Sequence, residues 1–157
     1  MNISRYFDAA KANFAIRLDD IDDYIKDLIL EINQYEDIVT SFSCEGHENG
    51  KYDFNAYLAI NISPKIWDQF WTELVPKYAV MCNAHEKFAI RIDYFPNEPK
   101  WNRGKIVFRN RNPHDKFIFW GFLKTTLLTF LRKYSIKHNV EFDLTVKSIN
   151  YCKTKDK

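Results

Sequence analysis

Glycine and proline are scarce in this chain, four and five residues among 157. That leaves no stretch with the composition of a flexible linker or a low-complexity tract. Cysteine is scarce as well. Cys44, Cys82 and Cys152 are odd in number and irregular in spacing, which argues against a disulfide framework and fits free thiols in a reducing cytoplasm. Long apolar runs are missing: the longest, Phe117 to Leu131, is broken by Lys124 and three threonines and is too short to span a bilayer. Met1 to Asp20 is interrupted by Arg5, Asp8, Lys11 and Arg17, so no secretory leader is expected. A strong charge of one sign is also lacking. The 23 basic and 21 acidic side chains leave a net +2, which argues against extended tracking of a nucleic-acid backbone.

Aromatic residues, by contrast, are plentiful at 17% within a hydrophobic share of 46%. That is enough for one dense core, so a single domain over 1–157 is expected, with 1–10 and 150–157 frayed. The charges are unevenly spread: acids crowd 19–37 and bases crowd 100–111.

Periodicity sets the expected elements. Phe14, Ile16 and Leu18 alternate as a short strand, and Ile21, Tyr24, Leu28 and Ile32 recur at helical spacing. Ile38 to Phe42 reads as a buried strand, Phe54 to Ile62 as a long alternating one, and Phe88 to Tyr94 as another. Ser63-Pro64 starts a helix with the stripe Ile66, Trp67, Phe70, Trp71 and Leu74, which Pro76 should bend or end. Ile106 to Arg109 would be the antiparallel neighbour of 88–94. Asn112-Pro113 opens the longest helix, with Phe117, Trp120, Leu123, Leu127, Phe130, Leu131 and Tyr134 inward, and Val140 to Val146 alternate as a last strand. The order β-α-β-β-α-β-β-α-β implies an α+β domain with a mainly antiparallel sheet and about three helices packed on it.

One loop concentrates chemistry. Ser43-Cys44-Glu45-Gly46-His47 follows a strand directly and precedes a turn. A positive φ at Gly46 would gather backbone N–H groups into a concavity that suits an anion. Cys44 as nucleophile, His47 as base and Glu45 as its orienting partner would make a Cys/His enzyme. The plain structural alternative is a tight hairpin in which Cys44 is a small filler.

The segment Ser41 to His47 resembles a stretch of the wybutosine-synthesis methyltransferase family. That family carries Ser-Ser-Cys-Ser-Gly-Arg at the end of a strand preceded by a helix. Ser43, Cys44 and Gly46 match, whereas His47 stands in place of arginine and Glu45 in place of serine. The resemblance implies an α+β domain whose Cys-Gly loop lines a nucleotide or methyl-donor pocket, with methyltransferase-like activity as the enzymatic version. No glycine-rich dinucleotide loop accompanies it. The Ser-Cys-Glu-Gly-His string is also similar to small phage and bacterial proteins, which would suit a counter-defence protein that sequesters a signalling nucleotide.

Three further patterns compete or combine with the loop. Cys44-x-x-His47 and Cys82-x-x-His85 have metal-ligand spacing and together would supply a zinc site; otherwise no cofactor is expected. Arg109, Arg111 and His114 lie where a strand meets a helix start, and Arg91 faces away from Phe88 and Ile90, so Arg91 and Arg109 on one face would meet an anion. Solvated charges and an ordinary helix start are the bland reading of the same residues. Trp101, in a polar turn, is the candidate anchor for a protein partner or a second copy, in which case the chain would act as an inhibitor, immunity or adaptor protein. The leading expectation is a small-molecule-binding domain for a nucleotide-like anion, held by Ser43, Cys44, Gly46, His47, Arg91, Arg109, Arg111 and His114.

Overall fold

Alternating side chains build the central sheet, and a computed structural model describes it within residues 15–17, 21–47, 53–96, 103–138 and 148–150. Four strands, β2 (Ile38–Cys44), β3 (Ala56–Ile62), β4 (Phe88–Tyr94) and β5 (Gly104–Asn110), pair in the order β2-β3-β5-β4, every neighbour antiparallel. Two short strands, β1 (Ala15–Arg17) and β6 (Ser148–Asn150), pair with each other and bring distant parts of the sequence together. The fold is α+β, as the sequence implies. The expected strand at 140–146 lies outside the described residues, as do Trp101 and Cys152.

Three helices cover one sheet face. α1 (Lys26–Ile32) follows a short 3₁₀ turn at Asp23–Ile25. α2 runs over 64–84 and α3 over 116–134, each with a central π-helical turn, Phe70–Leu74 and Leu123–Leu127. Their buried side chains pack on Ala56, Leu58, Ile60 and Ile62 of β3 and on Ile106 and Phe108 of β5. Among the described residues no helix is long and apolar enough to cross a membrane.

Several local expectations change. α2 continues past Pro76 to Ala84. Proline removes a donor and crowds the preceding turn; the wider π turn just before it, closed by Val75 N–H to Phe70 O, accommodates both. Trp71 lies at the margin of its stripe and is 44% exposed, while Trp67 and Phe70 are buried. On α3 the inward ring is Phe119, and Phe117 is 70% exposed beside the half-exposed Tyr24. Phe42 faces out because the β2–β3 register shifts between Thr40 and Phe42. A bulge of one residue moves every later side chain of a strand to the other face.

Candidate functional site

The register defines what the second sheet face presents. Phe42, Ala59, Val107 and Arg91 are successive partners across the four strands. Cys44, Tyr57, Arg109 and Ala89 form the next row, and Asn61, Lys105 and Asp93 the row on the other side. Each row of four spans about 14 Å, three strand spacings of about 4.8 Å.

Within this face a depression of about 320 Å³ is lined by Ala89, Ile90, Arg91, Asp93, Lys105, Val107 and Arg109. Its middle is small and apolar, from Val107 and Ala89, and its rim is cationic. Arg91, Arg109 and Lys105 all line it. Arg91 leans on Asp93 at 3.4 Å, an exposed contact worth little in water. Lys105 and Arg109 have no carboxylate within ion-pair distance among the described residues. Instead the Lys105 ammonium lies 4.9 Å from the centre of the Phe42 ring, and the Arg109 guanidinium 5.7 Å from that of Tyr57. The Nε of Arg109 is buried without an acceptor among the described residues. Three cations against one acid give the depression a net positive charge.

Arg111 and His114 are exposed and do not line it. The helix start beside them is satisfied from within: Asn112 Oδ1 accepts from His114 N–H at 3.0 Å, an ordinary N-cap. Asn110, fully buried, donates to Asn112 O and accepts from Asn112 N–H.

The 43–47 loop begins where the Cys44–Tyr57–Arg109 row ends, and the chain's own groups hold it. Gly46 has φ +97°, so the backbone turns there as expected. The Asp22 carboxylate accepts from Glu45 N–H at 2.8 Å; an internal anion therefore takes one of the donors a nest would offer a ligand. Lys116 Nζ donates to Glu45 Oε2 at 2.9 Å and to Gly46 O at 3.1 Å, and Trp120 Nε1 donates to Glu45 O at 2.9 Å. α3 thus clasps the loop. Glu45 faces Lys116, and the carboxylate beside His47 is Asp22, at 3.4 Å. Burial pushes the Cys44 thiol above its ordinary value and the Asp22 charge adds to the rise, against one N–H from Gly46 that favours the thiolate. Such a thiol is a poor nucleophile near neutral pH. Ser43 pairs with Leu58 and so sits on the helix-bearing face.

Among the described residues Asp22, Cys44 and His47 form the one group of three or more metal-ligating side chains, and Cys82 and His85 are not in it. His85 instead meets Asp115 at 3.1 Å and stacks on Phe88. Lys105, Asp22, Phe42 and Tyr57 are the residues that sequence reasoning left out of the site. The alternation of 105, 107 and 109 carries a signal for Lys105, whereas nothing in the sequence ties Asp22 to a loop more than twenty positions later.

No protein-family model, curated protein or solved structure matches this chain. Fold and site together define an α+β domain whose four-stranded antiparallel sheet carries helices on one face and a cationic, aromatic-bordered depression on the other.

Proposed function

We propose that this chain is a ligand-binding domain that holds a small anionic, nucleotide-like molecule on the outer face of its sheet. One observation carries the reading: Arg91, Lys105 and Arg109 converge on a single depression, and two of the three have no carboxylate partner among the described residues. Phosphate or carboxylate oxygens would meet Arg91 and Arg109, the guanidinium groups best suited to two-point contact. A planar ring would lie on the small apolar floor toward Tyr57 and Phe42, where stacking tolerates many bases. The Ser43–His47 loop bounds the end of the Tyr57–Arg109 row, in keeping with the nucleotide pocket that the methyltransferase resemblance implies for a Cys-Gly loop. A protein that binds a nucleotide without consuming it acts by sequestration, the form a counter-defence or signal-sequestering role would take.

The test is a thermal-shift and calorimetric panel of mononucleotides, cyclic nucleotides, methyl-donor analogues and a short single-stranded oligonucleotide. At least one small member should bind, and Arg109→Ala should weaken it about 10- to 100-fold, the loss of one charge-assisted contact. Silence across the panel, or an oligonucleotide that outcompetes every small ligand, would contradict the reading.

A further inference from the structure

At the end of β2, outside the lining of the depression, three side chains with metal-ligand chemistry converge. Asp22, Cys44 and His47 each offer one ligand atom, and those atoms all lie within 4.8 Å of one another. His47 Nε2 stands 3.4 Å from Asp22 Oδ2. Nitrogen and oxygen ligands about 2.1 Å from a tetrahedral ion are themselves about 3.4 Å apart, and a sulfur ligand about 2.3 Å from the ion is about 3.6 Å from either. The imidazole and carboxylate therefore already hold the spacing that such an ion imposes. The sulfur needs to close by at most about 1.2 Å from the 4.8 Å bound.

The local structure explains the convergence. The positive φ of Gly46 reverses the chain between Cys44 and His47, so both ends of Cys-x-x-His reach Asp22. Glu45 N–H donates to the same Asp22 oxygen that faces His47, an outer hydrogen bond of the kind that orients a ligating carboxylate. Glu45 itself is turned away to Lys116. The His47 side chain is 55% exposed, so a fourth position would open toward solvent.

We propose that Asp22, Cys44 and His47 form a three-ligand site for a thiophilic divalent cation, zinc by its ligand chemistry, with the fourth position open to water or to a ligand donor. Thiolate, imidazole and zinc belong together by softness, and one thiolate plus one carboxylate neutralise a divalent charge. Binding forms a metal–sulfur bond and releases the Cys44 thiol proton to solvent. The site does not use Cys82 or His85, and it stands or falls separately from the sheet-face ligand.

Cobalt(II) is the probe, because a cobalt–thiolate bond gives a near-ultraviolet charge-transfer band and four-coordinate cobalt gives intense visible bands. The full chain, stripped with chelator and titrated with cobalt, should take up one equivalent with both signatures, and zinc should displace it. Cys44→Ser should remove the charge-transfer band. Asp22→Asn, which keeps an acceptor for Glu45 N–H, and His47→Ala, at an exposed position, should each weaken uptake at least tenfold. Cys82→Ser should behave as the unaltered chain. No thiolate band in the unaltered chain, a band that survives Cys44→Ser, or one that disappears in Cys82→Ser would overturn the proposal.

Discussion

Asn33 is a fully buried polar residue with a definite task. Its Nδ2 donates to Ile29 O at 2.7 Å and to Thr40 Oγ1 at 2.9 Å, and its Oδ1 accepts from Thr40 N–H at 3.0 Å. The end of α1 is thereby fastened to β2 just before the bulge. Asn33→Ala should cost about 2–3 kcal/mol in chemical denaturation, because a backbone N–H is left buried and unpaired; a change below about 0.5 kcal/mol would show that water replaces the amide. Gly46 is constrained twice. Its φ disfavours any other residue, and an added Cβ would stand 2.3 Å from the Phe54 ring and 3.1 Å from Ala56 Cβ. Gly46→Ala should destabilise the protein by about 2–4 kcal/mol, backbone strain plus overpacking, read from the same denaturation curve. A neutral outcome would mean that the loop does not need this turn.

Between elements, the short connection from α1 to β2 is a junction. Asp37 accepts from Ser63 Oγ at the start of α2 and from Ser135 Oγ after α3. Glu36 meets Lys65 at 3.3 Å and His138 at 3.0 Å. Burial works against ionising Glu36, but the hydrogen bonds from His138 and Lys65 together outweigh it and hold the carboxyl below its usual value. A depressed carboxylate contributes stability that is present above its unfolded value and is lost as pH falls through its folded one. Stability should therefore drop in the acid range below about pH 4.5, and Glu36→Gln should flatten that limb while lowering stability at neutral pH. Identical acid limbs in the two proteins would refute the assignment. Much of this element level was legible in the sequence. Alternation revealed β3, β4 and β5, and the Ser-Pro and Asn-Pro starts marked α2 and α3. The bulge at Ser41, the π turns and the place of β5 between β3 and β4 were not legible. Each is decided by contacts between segments far apart in the chain, which local propensity does not encode. For the same reason alternation assigns Arg91 a side of its own strand, while a face shared with Arg109, like the place of Asp22 beside Cys44, depends on register and packing between distant segments.

Over the whole molecule, the two sheet faces divide the work. The helix-bearing face carries most of the buried side chains, so substitution of an exposed cation on the other should leave the melting temperature nearly unchanged. Arg91 illustrates the point, since its side chain is 78% exposed; Arg91→Ala should change stability by less than about 0.5 kcal/mol. The exposed Tyr24 and Phe117 pair, with rings 5.6 Å apart, lies on the helical side and does not line the depression of Arg91, Lys105 and Arg109. The most direct test of ligand binding on this face is calorimetric titration of the best-binding nucleotide from the panel against the unaltered chain, Arg91→Ala, Arg109→Ala and the double variant. A ligand held between both guanidinium groups should weaken about tenfold or more with each single change and lose measurable binding in the double, with folding intact throughout. Equal affinity in all four proteins would contradict a binding site on this face of the sheet.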